Sequence, residues 1–425
     1  MLDLNYLRDN KDKVRELLKT RAPKLDFDVF LRLDTQRREL LKELEALRAE
    51  KNKANDEISQ ILRKNGNPKS KIESMKLISQ KIAEFEPKVV DIDSKLNDIM
   101  LLIPNLPHNT VKVGVDNTKN TEVLSWGEVK KPSFKPKEHT EIGENLGIFS
   151  FTKGAKVTGS SFAVFGGGIG ARLERALINF MLDQHTQNHG YIEFSPPFLV
   201  NRASMTGTGQ LPKFEEDMYR LKDDDLFLVP TAEVPITNLH RDEVLREEDL
   251  PLKYTAYTPC FRREAGSYGK DTKGLVRVHQ FDKVELVKFC KPETSYDEHE
   301  KLLKDAEKIL QLLEIPYRVM LLSSGDMGFA AAKCYDLEAW APGLNRWLEV
   351  SSVSNFENFQ ARRANIRFKR KATGKSEFVH TLNGSGLALP RTLIAILENF
   401  QNADGSVRVP EALRRYLDGL AVIKK

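Results

Sequence analysis

The sequence predicts an α+β protein: an antiparallel sheet with helices packed on it, preceded by an antiparallel α-helical coiled-coil arm. Three observations predict this. Two heptad-spaced apolar stretches flank the helix-breaking Lys64-Asn65-Gly66-Asn67-Pro68. Strand-like runs with few helices between them dominate the remainder. The 425 residues, 40% hydrophobic and 30% charged, exceed what one hydrophobic core usually serves. The 66 basic and 61 acidic residues leave a net charge of only +5, so any nucleic-acid surface must come from local segregation of charge. No uninterrupted apolar run approaches the roughly 18 residues of a membrane helix. The first ten residues lack the pattern of a signal or transit peptide, so a cytoplasmic protein without a membrane partner is expected. Cys260, Cys290 and Cys334 form no C-x-x-C pair and have no histidine at zinc-finger spacing; they read as reduced thiols, and no zinc is expected.

In the arm, Leu33, Leu40, Leu44, Leu47, Ala54, Ile58 and Ile61 follow the four-and-three spacing, with Arg37 and Lys51 interrupting the stripe. Ile72, Met75, Ile82, Phe85, Val89, Ile92, Leu96, Ile99 and Ile103 repeat it. Two apolar positions per heptad are too narrow a stripe for helices lying flat on a globular body. The two should therefore fold back as a hairpin over about residues 27–103, with arms of about 30 residues reaching on the order of 45 Å. Pro87 predicts a kink or local break, because it removes a backbone donor. Near the tip, Arg63, Lys64, Lys69, Lys71, Lys76 and Lys81 outnumber the acids, as either a phosphate-contacting surface or a solvated face would show. Pro104, Pro107, Pro132 and Pro136 mark a connector, and a boundary near 105–115 divides the chain into domains 1–110 and 111–425.

In the second domain, strand-like runs fall at 226–229, 276–283, 284–289, 317–322 and 347–352, and amphipathic helices at 171–185, 295–314 and 391–399. Residues 165–170, Phe-Gly-Gly-Gly-Ile-Gly, lack phosphate-loop spacings and read as a turn before a helix. Phe261-Arg262-Arg263-Glu264 follows a possible strand, and a Gly-rich loop (Gly266, Gly269, Gly274) joins it to Arg277-Val278-His279-Gln280-Phe281. Pairing these segments would gather Arg262, Glu264, Arg277 and Phe281, offering guanidinium forks for phosphate and an aromatic face for a base. Residues 383–391, Asn-Gly-Ser-Gly-Leu-Ala-Leu-Pro-Arg, read as a Gly-rich turn entering a helix. Arg391 in its first turn opposes the helix dipole and calls for a bound anion.

Phe261-Arg262-x-Glu264, and Gly384-x-Gly386 with Arg391, resemble motifs 2 and 3 of class II aminoacyl-tRNA synthetases; Gly190-Tyr191 through Pro196-Pro197 resembles motif 1. Thr231-Ala232-Glu233, Glu349-Val350-Ser351-Ser352 and residues 381–391, together with the hairpin, resemble the seryl-tRNA synthetases of bacterial type, in order along essentially the whole chain. The resemblance implies a class II catalytic domain behind a tRNA-binding domain. It also implies a ligase in which the serine carboxylate attacks the α-phosphorus of ATP, the seryl group then passing to tRNA(Ser), with tRNA(Sec) a further acceptor.

ATP is then a substrate and Mg2+ the expected metal. By resemblance, Arg262 holds the α-phosphate and the serine carboxylate and carries catalysis with Arg391. L-serine is bound by Thr231, Ala232, Glu233, Arg262, Glu285, Asn383 and Ser385. ATP is met by Arg262, Arg263, Glu264, Val278, Phe281, Glu349, Val350, Ser351, Ser352 and Arg391, with Glu349 and Ser352 at the metal positions. A homodimer through motif 1 is implied. The cysteine inventory departs from the zinc-dependent archaeal type, and no long C-terminal extension is expected. The basic run Arg362, Arg363, Arg367, Lys369, Arg370, Lys371 and Lys375 reads either as a surface for the tRNA acceptor end or as a solvated loop. Two other readings stay open. An amino acid:carrier-protein ligase would lack the full arm, and a non-catalytic binding protein of the same fold would have a broken motif, whereas Arg262, Glu264, Glu285, Glu349 and Arg391 are all present.

Overall fold

The heptad-spaced stretches form two long helices, Phe27–Arg63 and Lys69–Leu102. Asp26 caps the first by accepting from the backbone N–H of Asp28. It ends where Asn65 turns left-handed (φ +53°) and Gly66 donates to the carbonyl of Ile61. A Cβ on Gly66 would come within 2.8 Å of the Ile61 side chain, so this tip needs glycine. Leu44, Ile78 and Ile82 are buried in the seam with Leu47, Phe85 and Val89 packed against them. Arg37, the charged interruption, is paired with Asp93 of the other helix. The second helix runs through Pro87 as one element without a break; the proline lies on an exposed face and forfeits one backbone bond. Two shorter helices, Leu4–Asp9 and Lys11–Arg21, precede the hairpin and bury Leu7, Val14 and Leu18. They are too short for a legible period.

The computed structural model describes residues 1–130, 132–265 and 273–425, and separates Leu2–Ile103 from a second compact unit running from Pro104 to Lys425. Gly266 and Gly269 of the expected loop lie outside the described residues.

The second unit is built on eight strands: β1 (Thr121–Trp126), β2 (Ile192–Glu193), β3 (Leu252–Phe261), β4 (Gln280–Cys290), β5 (Tyr317–Leu321), β6 (Lys333–Ala341), β7 (Arg346–Asn355) and β8 (His380–Ala388). Their spatial order is β1-β5-β6-β7-β8-β4-β3-β2. Every neighbouring pair is antiparallel except β2 on β3. Helices Ile169–Gln187, Ser295–Leu312 and Leu389–Asn399 bury Leu173, Leu302 and Leu393 in one apolar cluster with Leu286, Leu337 and Val353 of the strands. Residues 165–170 are indeed a turn before a helix, with Gly167 and Gly168 at positive φ.

Two expectations are corrected. The runs at 276–283 and 284–289 are not two strands: Gly274–Val276 is a 3-10 turn, and β4 is continuous from Gln280 to Cys290. The Gly-rich stretch from Asn383 is no turn either, since it lies inside β8. A Cβ on Gly386 would come within 2.6 Å of His185 Nε2, and one on Gly384 within 3.2 Å of Val353. Gly384 makes room for a side chain of the neighbouring strand and Gly386 for the helix packed on the sheet, and Gly386 sits where the pairing of β8 with β4 shifts register between Ser385 and Leu387. β6 escaped the sequence reading because Lys333, Asp336 and Glu338 interrupt its apolar residues.

Candidate active site

Antiparallel pairing of β3 and β4 runs out to Phe261 opposite Gln280, and Arg262 N–H extends the ladder to the carbonyl of His279 at 2.9 Å. The Arg262 guanidinium therefore lies 5.2 Å from the centroid of the Phe281 ring, and its Nε donates to the carbonyl of Pro230 at 3.3 Å. Arg277 and Glu264 form an ion pair, with Glu264 held at a left-handed φ of +52°. The four residues that the pairing was expected to gather do converge.

β8 lies beside β4 with Ser385 opposite Glu285. Asn383 Nδ2 stands 2.9 Å from Glu233 Oε2 and 2.9 Å from Glu285 Oε1, so one amide bridges two carboxylates. Ser385 Oγ donates to Glu285 Oε2 at 3.4 Å, and Lys283 Nζ lies 2.6 Å from the same oxygen. Glu233 opens a short helix, Glu233–Thr237, and its N–H reaches Thr231 Oγ1 at 3.4 Å. Burial, and next the neighbouring charge of Glu285, push the Glu233 carboxyl up to about 7.

At the other end, Arg391 Nη1 donates to the carbonyl of Glu349 at 2.8 Å and lies 3.2 Å from its carboxylate, while Nε donates to the carbonyl of Val276 at 3.1 Å. The cation that opposes its helix dipole thus rests on an acid. Ser351 Oγ donates to the carbonyl of Ser385 at 2.7 Å, and Ser352 Oγ lies 3.1 Å from the buried thiol of Cys334.

A cavity of about 420 Å³ joins the two ends. It is lined by Thr231, Glu233, Arg262, Glu264, Val278, Phe281, Glu285, Glu349, Val350, Ser351, Ser352, Asn383, Ser385 and Arg391. Two expected residues do not line it. Ala232 is packed in a separate apolar cluster, and Arg263 is exposed, with its N–H bonded to the carbonyl of Asp217. The structure adds Lys283, which the spacing of two from Glu285 on β4 could have revealed, and residues 208–210 and 328–331, for which no local pattern exists.

The basic run is largely spoken for. Arg363 is half-buried and donates to the carbonyls of Thr206 and Leu211 at 3.2 and 3.1 Å. Arg370 is paired with Glu293, Glu377 and Glu247, and Arg367 lies 4.0 Å from the Phe378 ring centroid. Lys369 and Lys375 remain exposed. Among the described residues there is no cluster of three or more His, Cys, Asp or Glu able to hold a metal ion, and no helix long and apolar enough to cross a membrane.

The family model for the tRNA synthetase class II core domain (G, H, P, S and T) matches residues 213–400, and that for the seryl-tRNA synthetase N-terminal domain matches residues 1–107. The serine–tRNA ligase of Trichlorobacter lovleyi is 56% identical over 425 residues, covering 100% of both chains. That of Listeria monocytogenes is 54% identical, covering 100% of this chain and 99% of the relative. Among solved structures, the seryl-tRNA synthetase from Pyrococcus horikoshii complexed with ATP superposes with a TM-score of 0.92 at 40% identity, covering 100% of this chain and 99% of the other. The cytoplasmic serine–tRNA ligase from Naegleria fowleri in complex with AMP gives 0.88 at 30% identity, with the same coverage.

Proposed function

The chain belongs to the seryl-tRNA synthetase family, whose members join L-serine to tRNA using ATP, and we propose that both chemical steps take place in the cavity between Glu233 and Arg391. The observation that carries this reading is the Asn383 amide bridging the Glu233 and Glu285 carboxylates within a cavity that also holds Arg262 over Phe281. Two carboxylates at one end suit the serine ammonium, with Thr231 beside them. Asn383 and Ser385 face the side-chain hydroxyl. Such a pocket rejects alanine by leaving its own polar groups unpaired, and threonine by the fit of one methyl.

Arg262, at the junction, holds the serine carboxylate against the α-phosphate. A carboxylate oxygen bonds to the α-phosphorus as the bond to the pyrophosphate oxygen breaks. No protein nucleophile is needed, because the attacking group is already ionised. Catalysis comes from alignment and from the charge of Arg262 and Arg391 on the crowded phosphorus. Phe281 stacks on adenine, Arg391 covers it and reaches the γ-phosphate, and Glu264 and the backbone of Val278 complete the nucleotide contacts. Glu349 and Ser352 present the hard oxygens magnesium prefers, few in number as suits an ion that arrives with phosphate and keeps waters. Bound there, Mg2+ would neutralise phosphate charge.

The hairpin of domain 1–110 is the tRNA-binding element, its exposed Arg63, Lys64, Lys69 and Lys76 meeting backbone phosphates of tRNA(Ser), with tRNA(Sec) a second acceptor. Domain 111–425 is the catalytic domain, acting in a cytoplasmic homodimer. ATP–pyrophosphate exchange with serine, threonine, alanine and glycine supplied separately tests the pocket. Exchange with serine alone is expected. Exchange with glycine or alanine instead would favour a carrier-loading ligase, and none with any of them would favour a binding role.

A further inference from the structure

Gln360 lies on the helix Phe359–Ala364, is completely buried, and does not line the cavity. Its amide is nevertheless fully engaged there. Nε2 donates to Glu233 Oε1 at 2.5 Å and to the carbonyl of Thr208 at 3.2 Å, while Oε1 accepts from Thr381 Oγ1 at 2.7 Å. A backbone carbonyl can only accept, so the amide nitrogen must face Thr208 and Glu233, and its orientation follows from chemistry. With Asn383 on Oε2, the Glu233 carboxylate is held at both oxygens, by one residue inside the pocket and one behind it. Thr208 is followed by Gly209 and Gln210, which also line the cavity, so the same amide fastens the rim.

We infer that Gln360 is a positioning residue for amino-acid recognition: by fixing the Glu233 carboxylate and tying it to residues 208–210, it sets the affinity for the substrate's α-ammonium group without touching it. This rests on reading Glu233 as an ammonium contact. The groups acting on Glu233 are known from every side. Burial and the charge of Glu285 oppose its ionisation; the Gln360 hydrogen bond favours it first, ahead of Lys283 and Arg262, and Asn383 is neutral. Removing the Gln360 donor should therefore make the carboxyl hold its proton to higher pH, whereas a loss of mere packing would not.

The test is ATP–pyrophosphate exchange by the full-length protein, with serine and ATP varied separately between pH 6 and 9. Gln360→Met keeps the length and removes the donor. Its serine KM should rise about tenfold or more with ATP KM within about twofold, the split expected when one hydrogen bond to a charged group is lost from the amino-acid site. The acid limb of kcat/KM for serine should move to higher pH. Thr381→Val, which frees the amide oxygen, should shift both in the same direction by less, and it carries the test if Gln360→Met does not fold. Unchanged serine KM and acid limb in folded variants would overturn the inference, as would serine and ATP KM rising together without movement of the limb. Glu233→Gln in the same assay separates the two claims. If it raises serine KM and Gln360→Met does not, only the role of Gln360 falls. If Glu233→Gln leaves serine KM unchanged, the ammonium assignment falls and the inference with it.

Discussion

The helical arm and the catalytic sheet are stabilised in opposite ways. In the arm, a single narrow seam carries the packing, with Leu44, Ile78, Ile82, Ile92 and Leu96 among its buried residues and most of its charge left in water. Its one deeply buried acid, Asp34, is matched by Arg8 at 2.7 Å, which holds its carboxyl below the usual carboxylate range. The sheet instead buries Glu233 and Glu285 close enough to share one amide, at a cost in desolvation and mutual repulsion. A periodic element gets its stability from one repeating seam and can be long. A reactive pocket holds unfavourable charge together, which only a rigid, large apolar core can sustain.

The strongest way to sharpen this comparison is to separate the two regions. Deleting residues 35–95 should abolish tRNA charging while serine-dependent pyrophosphate exchange stays within a few-fold of the full chain. Loss of both together, with the shortened protein still folded, would show that the arm serves more than tRNA. Next in size is Arg262→Ala. Removing one donor preorganised for charge that develops in a transition state costs about 10²–10³ in rate, and that is the role proposed for Arg262. Exchange should fall by that order while the melting temperature changes little, because the Arg262 side chain is held by one long bond to the Pro230 carbonyl and by the Phe281 stack. Near-normal exchange would refute its role.

The pH dependence of serine binding is a smaller effect. Burial and the charge of Glu285 push the Glu233 carboxyl up to about 7, and an ammonium group binds the ionised form. Serine KM should therefore fall as pH rises from 6 towards 8, by up to about tenfold per unit below the carboxyl's pKa, and then level off. Serine KM that is flat across that range, or that rises with pH, would mean that Glu233 does not meet the ammonium.

The same contrast governs what the sequence could reveal. The hairpin was legible almost residue by residue, because its seam repeats every seven positions and its turn is marked by Asn65, Gly66 and Pro68. The hairpin of β3 and β4 was legible because its partners lie within about twenty residues of one another. The remainder of the site depends on pairings that no local pattern encodes: Glu233 meets Asn383 150 residues away, and Gln360 meets Glu233 at 127. The glycines of β8 misled for a related reason. In isolation Gly384-Ser385-Gly386 reads as a turn, and only the presence of His185 and Val353 against it explains a strand without side chains there.

A half-buried carboxyl pair outside the pocket tests whether such charge belongs only there. Glu174, on the helix Ile169–Gln187, faces Asp282 of β4, which also accepts from Tyr257 Oη at 3.1 Å. Burial first, and then Asp282, push the Glu174 carboxyl up to about 8 from its ordinary 4.5. Between those values the folded chain binds a proton that the unfolded chain has released, so stability declines as pH rises through that window and levels off above it. Glu174→Gln imitates the protonated acid and should abolish that decline. The variant should melt close to the wild type at pH 5 and be more stable by about 1–2 kcal/mol at pH 8.5, an allowance well below the full linkage because the pair shares its proton. Parallel melting curves for the two proteins across that range would mean that both carboxyls ionise in the fold without penalty. This pair would then differ from Glu233 and Glu285, whose charges oppose one another in the cavity.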